Sequence, residues 1–286
     1  MTQRRRRSAL FMPGSNARAL DKARSIDCDT ILFDLEDSVS IEQKALARDQ
    51  VAAALRAGGY GGRELVVRVN PLGTALFEDD LRMAVAAGAQ GVLLPKTDSA
   101  ADVVAVERGL EALGAGPGLG IWAMIETPRA ILAIAEIAAQ ARSGQAEAGR
   151  LAALAVGPND LAKMTGVRND GGRTYLLPWL SQVVLAAKAH GITALDGVYN
   201  AFQDDDGFAA ECRQGRAMGF DGKTLIHPRQ VGPANALFGP DEEELAWARK
   251  VVAAFALPGN ETANVINLDG GMVERLHLDQ ARALLS

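Results

Sequence analysis

The residues in this chain that could do chemistry recur at one kind of position, the end of a short apolar run. Glu36 and Asp37 follow TILFDL, Arg68 lies in ELVVRVN, and Lys96 follows QGVLLP. Glu126 follows GIWAMI, Asp160 comes shortly after LAALAVG, Asp196 closes ITALD, and His227 follows FDGKTLI. A helix cap or a loop charge is the ordinary explanation for any one of them. Repetition at successive run ends argues instead that they converge. Glu126 and Asp160 have no His or Cys nearby in sequence, and two such acids suit a hard, oxygen-seeking cation. Mg²⁺ fits, because it is held by one or two carboxylates together with waters and substrate oxygens.

Other charged or glycine-rich stretches point nowhere in particular. The glycines between Gly114 and Gly120 precede a strand instead of following one, lack the nucleotide-loop spacing and include Pro117, so they read as a turn. There is no GxxxxGK[ST], HExxH or GxSxG pattern. His190 closes a helix before Gly191, and Asp204, Asp205 and Asp206 open one, where such charges complement the helix dipole.

The elements that must position these residues follow from the hydrophobic pattern. Strands are expected over 8–13, 30–35, 64–70, 90–95, 120–126, 151–157, 192–196 and 220–226. Helices are expected between and after them, over 15–25 with Ser15 as the cap, then 41–57, 77–87, 100–113, 129–142, 177–189, 208–218 and 241–255. The run over 120–126 is the clearest. Five consecutive apolar residues between a Gly-rich entry and Thr127-Pro128 describe a strand covered on both faces. Eight strands alternating with helices imply parallel pairing, and a closed (β/α)₈ barrel is the favoured reading over a doubly wound open sheet. In a barrel the strand ends meet on one face, which gathers the charges above into a single constellation.

After Phe255 the character changes. Residues 257–262 break the helix, 265–268 read as an extended piece and 273–285 as a helix, so the chain divides into a barrel over 1–257 and a linker and lid over 258–286. The Asp269-Gly270-Gly271 turn followed by Glu274 could bring an acid to a site.

Composition agrees with a globular α/β protein. The 286 residues are 48% hydrophobic, enough for a large core, and the net charge of −5 gives no general attraction to nucleic acid. Cys28 and Cys212 form no metal-type pair, which makes a reducing cytoplasm the expected compartment. No span approaches a transmembrane helix. The run Arg4 to Arg7 lacks the apolar core of an export signal after it and reads either as a solvated tail or as a phosphate-binding patch.

Taken together, the motifs resemble a family. Arg6-Arg7-Ser8-x-Leu10-Phe11-x-Pro13-Gly14, Asp34-Leu35-Glu36-Asp37-Ser38-Val39, Arg68-Val69-Asn70-Pro71, Leu94-Pro95-Lys96, Ile125-Glu126-Thr127-Pro128, Gly157-x-x-Asp160-Leu161, Gly222-Lys223-x-x-Ile226-His227-Pro228-x-Gln230 and Gly271-Met272-Val273-Glu274 occur in order along the chain. The pattern resembles the citrate lyase β-subunit and malyl-CoA lyase group of the HpcH/HpaI aldolase superfamily. The resemblance implies a barrel, usually trimeric or in a higher homo-oligomer, that uses Mg²⁺ to make or break a C–C bond beside a thioester carbonyl. By the same resemblance Glu126 and Asp160 hold the metal, Glu126 also borders the substrate, and Arg68 binds the 2-oxo acid carboxylate. Phe11, Arg18, Lys22, Ile226 and His227 line the substrate and its CoA. Asp37 stands with the catalytic groups, and Glu36 and Lys96 support them from behind. Glu274 falls where relatives carry the acid/base, an aspartate from a neighbouring subunit's tail. Phe11 stands where some relatives have Tyr, and Asn159 where an acid is common. The implied basic rim for CoA phosphates comprises Arg4 to Arg7, Arg18 and Lys22.

The expected activity is a Mg²⁺-dependent C–C lyase of malyl-CoA, methylmalyl-CoA or citryl-CoA type, with CoA or an acyl carrier protein as the acyl donor. The alternatives are a thioesterase on the same barrel and a non-catalytic subunit of a lyase complex, against which the retained Glu126, Asp160 and Arg68 speak.

Overall fold

The structure, a computed structural model, describes residues 4–141, 149–168 and 172–285. Eight parallel strands close into a barrel in sequence order: β1 (Ser8–Pro13), β2 (Thr30–Asp34), β3 (Glu64–Arg68), β4 (Gly91–Leu94), β5 (Gly120–Ile125), β6 (Leu151–Val156), β7 (Thr193–Asp196) and β8 (Gly222–Leu225). Closure is direct, since β1 pairs with β2 on one side and with β8 on the other. The open-sheet alternative is therefore excluded. The connecting helices are α1 (Ala17–Lys22), α2 (Lys44–Ala57), α3 (Phe77–Ala86), α4 (Ala100–Ala112), α5 (Pro128–Leu132), α6 (Ile134–Ala138), α7 (Pro158–Thr165), α8 (Leu177–Ala189), α9 (Asp205–Ala217), α10 (Val231–Leu237) and α11 (Glu242–Phe255).

The strands are largely buried and mostly apolar because both faces are covered. Inside the barrel, Leu32, Val66, Leu93, Trp122, Met124, Ala153, Ala155 and Leu195 pack into one core, with small alanines opposite the indole. Truncating a buried Trp of this kind typically costs about 3–5 kcal/mol. The floor is closed by Arg6, whose guanidinium bonds Glu64 at 2.7 and 2.9 Å and Thr193 Oγ1 at 2.8 Å, and lies 5.0 Å over the Trp122 ring. Arg7 pairs with Asp29 at 2.8 Å. Both precede β1, so they sit at the N-terminal end of the strands. The expected place of these two arginines on a phosphate-binding rim, or in a solvated tail, is thereby corrected.

Local differences from expectation have simple causes. Asn16, not Ser15, caps α1, its side-chain oxygen accepting from Ala19 N–H at 3.1 Å. The helix expected over 129–142 breaks at Ala133 into α5 and α6, and Arg142 lies outside the described residues. Helix α7, which periodicity did not announce, starts at Pro158, where proline suits the first helical turn. Asp204 caps α9, accepting from Gly207 N–H at 3.0 Å.

By internal contacts the chain forms two compact units, residues 5–235 and a second that holds 236–286. In the second, α11 packs on the final helix α12 (Arg275–Leu285), and an antiparallel hairpin of β9 (Val265–Leu268) and β10 (Gly271–Glu274) completes the layer. Their shared core contains Val251, Phe255, Ile266, Val273 and Leu278. The tail thus contains a second strand where the sequence suggested the helix had begun. Among the described residues no helix is long and apolar enough to cross a membrane.

Candidate active site

The C-terminal ends of the strands surround a cavity of about 400 Å³. Its wall includes Phe11, Asp34, Asp37, Arg68, Met124, Glu126, Asn159, Asp160, Asn200, Thr224 and Ile226. Strand β3 ends at Arg68, and its guanidinium is nearly buried between β2 and the barrel interior. Nε and Nη2 each donate to one oxygen of Asp34 at 2.7 Å, and Nη1 lies 3.1 Å from Glu36 Oε2 and 3.5 Å from Asp37 Oδ2. The Phe11 ring lies 4.7 Å beneath it. The Nε–Nη2 side of the fork expected to clamp a substrate carboxylate is therefore already engaged by Asp34, and Asp34 leaves only the Nη1–Nη2 end, where Nη1 meets Glu36 and Asp37.

Lys96 follows β4 in the left-handed backbone region, with φ of 50°. That turn aims its N–H at Glu126 Oε1, 2.7 Å away, while its ammonium reaches Glu36 Oε1 at 2.6 Å. Glu126 leaves β5 and presses against the turn after β6, where a side chain at Gly157 could not fit. A Cβ there would lie 2.4 Å from Glu126 Cβ and 2.5 Å from Oε2. The same turn starts α7 and places Asp160 in its first turn.

Electrostatics follow from this crowding. Burial, reinforced by the neighbouring Glu36 and Asp160 carboxylates, pushes the Glu126 carboxyl up to about 7 against the opposing Lys96 N–H and Arg68. Burial also raises Glu36, with Asp37 adding to it and Arg68 and Lys96 resisting. Asp34 is as buried, yet the bonds and charge of Arg68 overcome that penalty and hold it below the usual carboxylate range. Five carboxylates (Asp34, Glu36, Asp37, Glu126, Asp160) thus share one strand-end face with Arg68 and Lys96, an anionic surplus. Among the described residues no three His, Cys, Asp or Glu form a metal-ligating group, and the carboxylates lining the cavity are Asp34, Asp37, Glu126 and Asp160.

Several residues singled out from the sequence lie elsewhere. Asp196 points into a fully buried network, bonded by Arg173 at 2.5 Å and by Lys223 at 2.9 Å, and does not line the cavity. His227 stacks on Phe202 at 4.6 Å beside the cavity's Ile226. Arg18 and Lys22 stand exposed on α1. Glu274 closes β10 in the other unit, its N–H donating to His277 Nδ1 at 2.9 Å. Sequence reasoning passed over Asp34, Met124 and Asn200. Asp34 carried a usable signal, since it lies two residues from Leu32 and so shares the inward face of β2. Asn200 gave none; it is placed by reciprocal amide bonds with Asn159 at 2.8 and 3.2 Å.

A parallel barrel with carboxylates, an arginine and a lysine at its C-terminal mouth is the arrangement of a barrel enzyme's active-site face. The chain belongs to the HpcH/HpaI aldolase/citrate lyase family, whose model matches residues 7–228. It is 44% identical over 280 residues to a (3S)-malyl-CoA thioesterase of Cereibacter sphaeroides, covering 98% of this chain and 93% of that one. To the citrate lyase subunit beta of Escherichia coli K12 it is 37% identical, with 99% and 93% covered. Among solved structures it resembles protein CitE from Mycobacterium tuberculosis in complex with magnesium, acetoacetate and coenzyme A. That likeness has a TM-score of 0.76 at 33% identity and covers 97% of this chain and 96% of that one.

Proposed function

We propose that this chain is a Mg²⁺-dependent enzyme acting on a 3-hydroxyacyl-CoA thioester of malyl-CoA type, and that its reaction is cleavage or formation of the C–C bond between a 2-oxo acid and an acyl-CoA. The observation that carries the reading is the anionic surplus around one cavity, with Glu126 and Asp160 as paired oxygen donors beside Arg68. Burial and two neighbouring carboxylates make the charge on Glu126 costly until a cation compensates it. The magnesium, acetoacetate and coenzyme A in the related CitE structure point the same way.

In this reading Glu126 and Asp160 hold the cation. Mg²⁺ bound there supplies Lewis-acid polarisation of the substrate oxygens. Arg68 receives the 2-oxo acid carboxylate on its Nη1–Nη2 end, and Phe11 supports the guanidinium from below. Glu36 and Lys96 steady Glu126 through the Lys96 backbone N–H. Asp37, exposed at the mouth, is in reach of the reacting groups, while Arg18, Lys22, Ile226 and His227 lie along the CoA. Glu274, delivered by the tail of a neighbouring subunit in a homotrimer or higher oligomer, takes the hydroxyl proton and returns one to the acyl-CoA carbon after the C–C bond breaks.

Hydrolysis of the thioester is the second reading, favoured by the 44% identity to malyl-CoA thioesterases. Incubation with Mg²⁺ and malyl-, methylmalyl- and citryl-CoA, assaying 2-oxo acid and free thiol separately, decides between them. A 2-oxo acid without free thiol supports the lyase, free thiol without a 2-oxo acid supports the thioesterase, and silence across the panel overturns both.

A further inference from the structure

Asp34 lines the cavity, yet every lone pair it can offer is already used within the chain. Oδ1 accepts from Arg68 Nε at 2.7 Å and from the Glu36 N–H at 2.8 Å. Oδ2 accepts from Arg68 Nη2 at 2.7 Å and from the Ser38 N–H at 3.1 Å. Four donors on two oxygens saturate a carboxylate, and an amide of the same shape would turn an NH₂ group against one pair of them. The residue is 1% exposed and Arg68 is 7% exposed, so neither is free to find water instead. Asp34 takes two of the five N–H groups of Arg68, and the Nη1–Nη2 end of Arg68 is the part it leaves. Its Nη1 faces Glu36, Asp37 and the Met124 sulfur, 3.9 Å away.

We infer that Asp34 is the positioning residue for Arg68: it fixes the guanidinium in its own plane and admits the substrate carboxylate to the Nη1–Nη2 end alone. The same carboxylate ties the turn bearing Glu36 and Ser38 to the end of β2, so one buried acid sets both the arginine and the loop beside it. This inference rests on the proposed role of Arg68 toward the 2-oxo acid. An arginine recognising a carboxylate ordinarily uses two parallel N–H bonds. Here the Nε–Nη2 side is taken by an internal partner, so two such bonds can form only at the Nη1–Nη2 end, which fixes the direction of approach.

The test compares Asp34→Asn, Asp34→Glu, Arg68→Met and the doubly neutral Asp34→Asn/Arg68→Met protein. In the condensation direction, Asp34→Asn and Arg68→Met are each expected to lower kcat/KM for the 2-oxo acid on the order of a hundredfold, the size a 1 Å misplacement can produce. The loss lies in KM, and Mg²⁺ affinity by calorimetry stays at the wild-type value. The double variant should be no worse than Arg68→Met, because a residue acting through another adds nothing once that other is gone. Losses that multiply in the double variant, or a wild-type KM in folded Asp34→Asn or in Arg68→Met, overturn the inference. Should Asp34→Asn not fold, Asp34→Glu keeps the charge and moves it by one methylene, and a wild-type KM there overturns the inference equally. A readout free of turnover separates this from the proposed function. The Arg68 Nε–H, assigned by its disappearance in Arg68→Met, should exchange with solvent slowly in the wild type and rapidly in Asp34→Glu. Unchanged protection in Asp34→Glu overturns the positioning role, whereas a wild type silent on every thioester but showing the expected exchange pattern overturns only the reaction.

Discussion

Glu126 is where the chemistry of single residues is most sharply drawn. Its carboxyl is pushed from the ordinary 4.5 up to about 7, so between those values the folded chain keeps a proton that the unfolded chain has released. Stability of the metal-free protein therefore falls as pH rises from about 4.5 to about 7. Replacing Glu126 by Gln removes that charge, and above pH 7 the metal-free variant should be more stable than wild type by on the order of 1–3 kcal/mol, read by urea unfolding. Mg²⁺ binding runs in the opposite sense. Its apparent affinity should climb as pH rises toward about 7 and then level off, with a proton released on binding below that value, measurable by calorimetry in buffers of different ionisation enthalpy. Glu126→Gln and Asp160→Asn should each weaken Mg²⁺ by more than about a hundredfold, since even partners behind a ligand cost 10–100-fold. Undiminished Mg²⁺ affinity in both variants would remove these residues from the metal.

Among the elements, the turn from β6 into α7 is the most constrained. Gly157 is required there by contact, because Glu126 Cβ occupies the place its own Cβ would take. Gly157→Ala must displace Glu126 or the start of α7, and overpacking of this kind costs about 1–3 kcal/mol. The expected result is a lower melting temperature together with weakened Mg²⁺ binding, while Gly166→Ala at the far end of the same helix, where nothing lies within 4 Å, should affect stability only, through its left-handed backbone. Equal Mg²⁺ affinities in the two variants would show that the turn does not govern Glu126. Strand ends were legible in advance to within one or two residues because continuous apolar runs stop where cover stops. Helix α7 and strand β10 were not legible, being too short for periodicity to show.

Across the whole molecule, the tail is bound into its own unit. Deleting the chain after Leu257 would remove Ile266, Val273, Leu278 and Ala281 from the core they share with Val251 and Phe255 on α11. A lower melting temperature is expected, in contrast to the neutral outcome that the sequence pattern alone would suggest for a lid beginning at 258. Glu274→Ala is the cleaner probe. Its side chain is no part of that core, so the fold should survive while kcat drops on the order of 10²–10⁴-fold with KM little changed. If acid and metal meet from different subunits, mixing inactive Glu274→Ala and Glu126→Gln proteins should restore activity. Hybrids verified to have exchanged subunits but showing none would place any action of Glu274 within its own chain.

Length and hydrophobic period were enough to nominate eight parallel strands alternating with helices, because short, mostly apolar runs suit strands covered on both faces, whereas closure was decided by the pairing of β1 with β8, which brings the strand ends to one mouth. Residue type was enough to nominate a hard cation, because two carboxylates without histidine or cysteine leave little other choice. Partnership among the charges was beyond that reading. Arg68 meets Asp34 across 34 positions of sequence, and Arg6 meets Thr193 across 187. Which acid an arginine finds depends on the register of neighbouring strands and on the depth to which each end is buried, quantities that exist only once the barrel has closed. For the same reason Asp196, alike in sequence to the acids of the cavity, is turned away from it: Lys223 and Arg173 reach it first, inside the wall between β7 and β8.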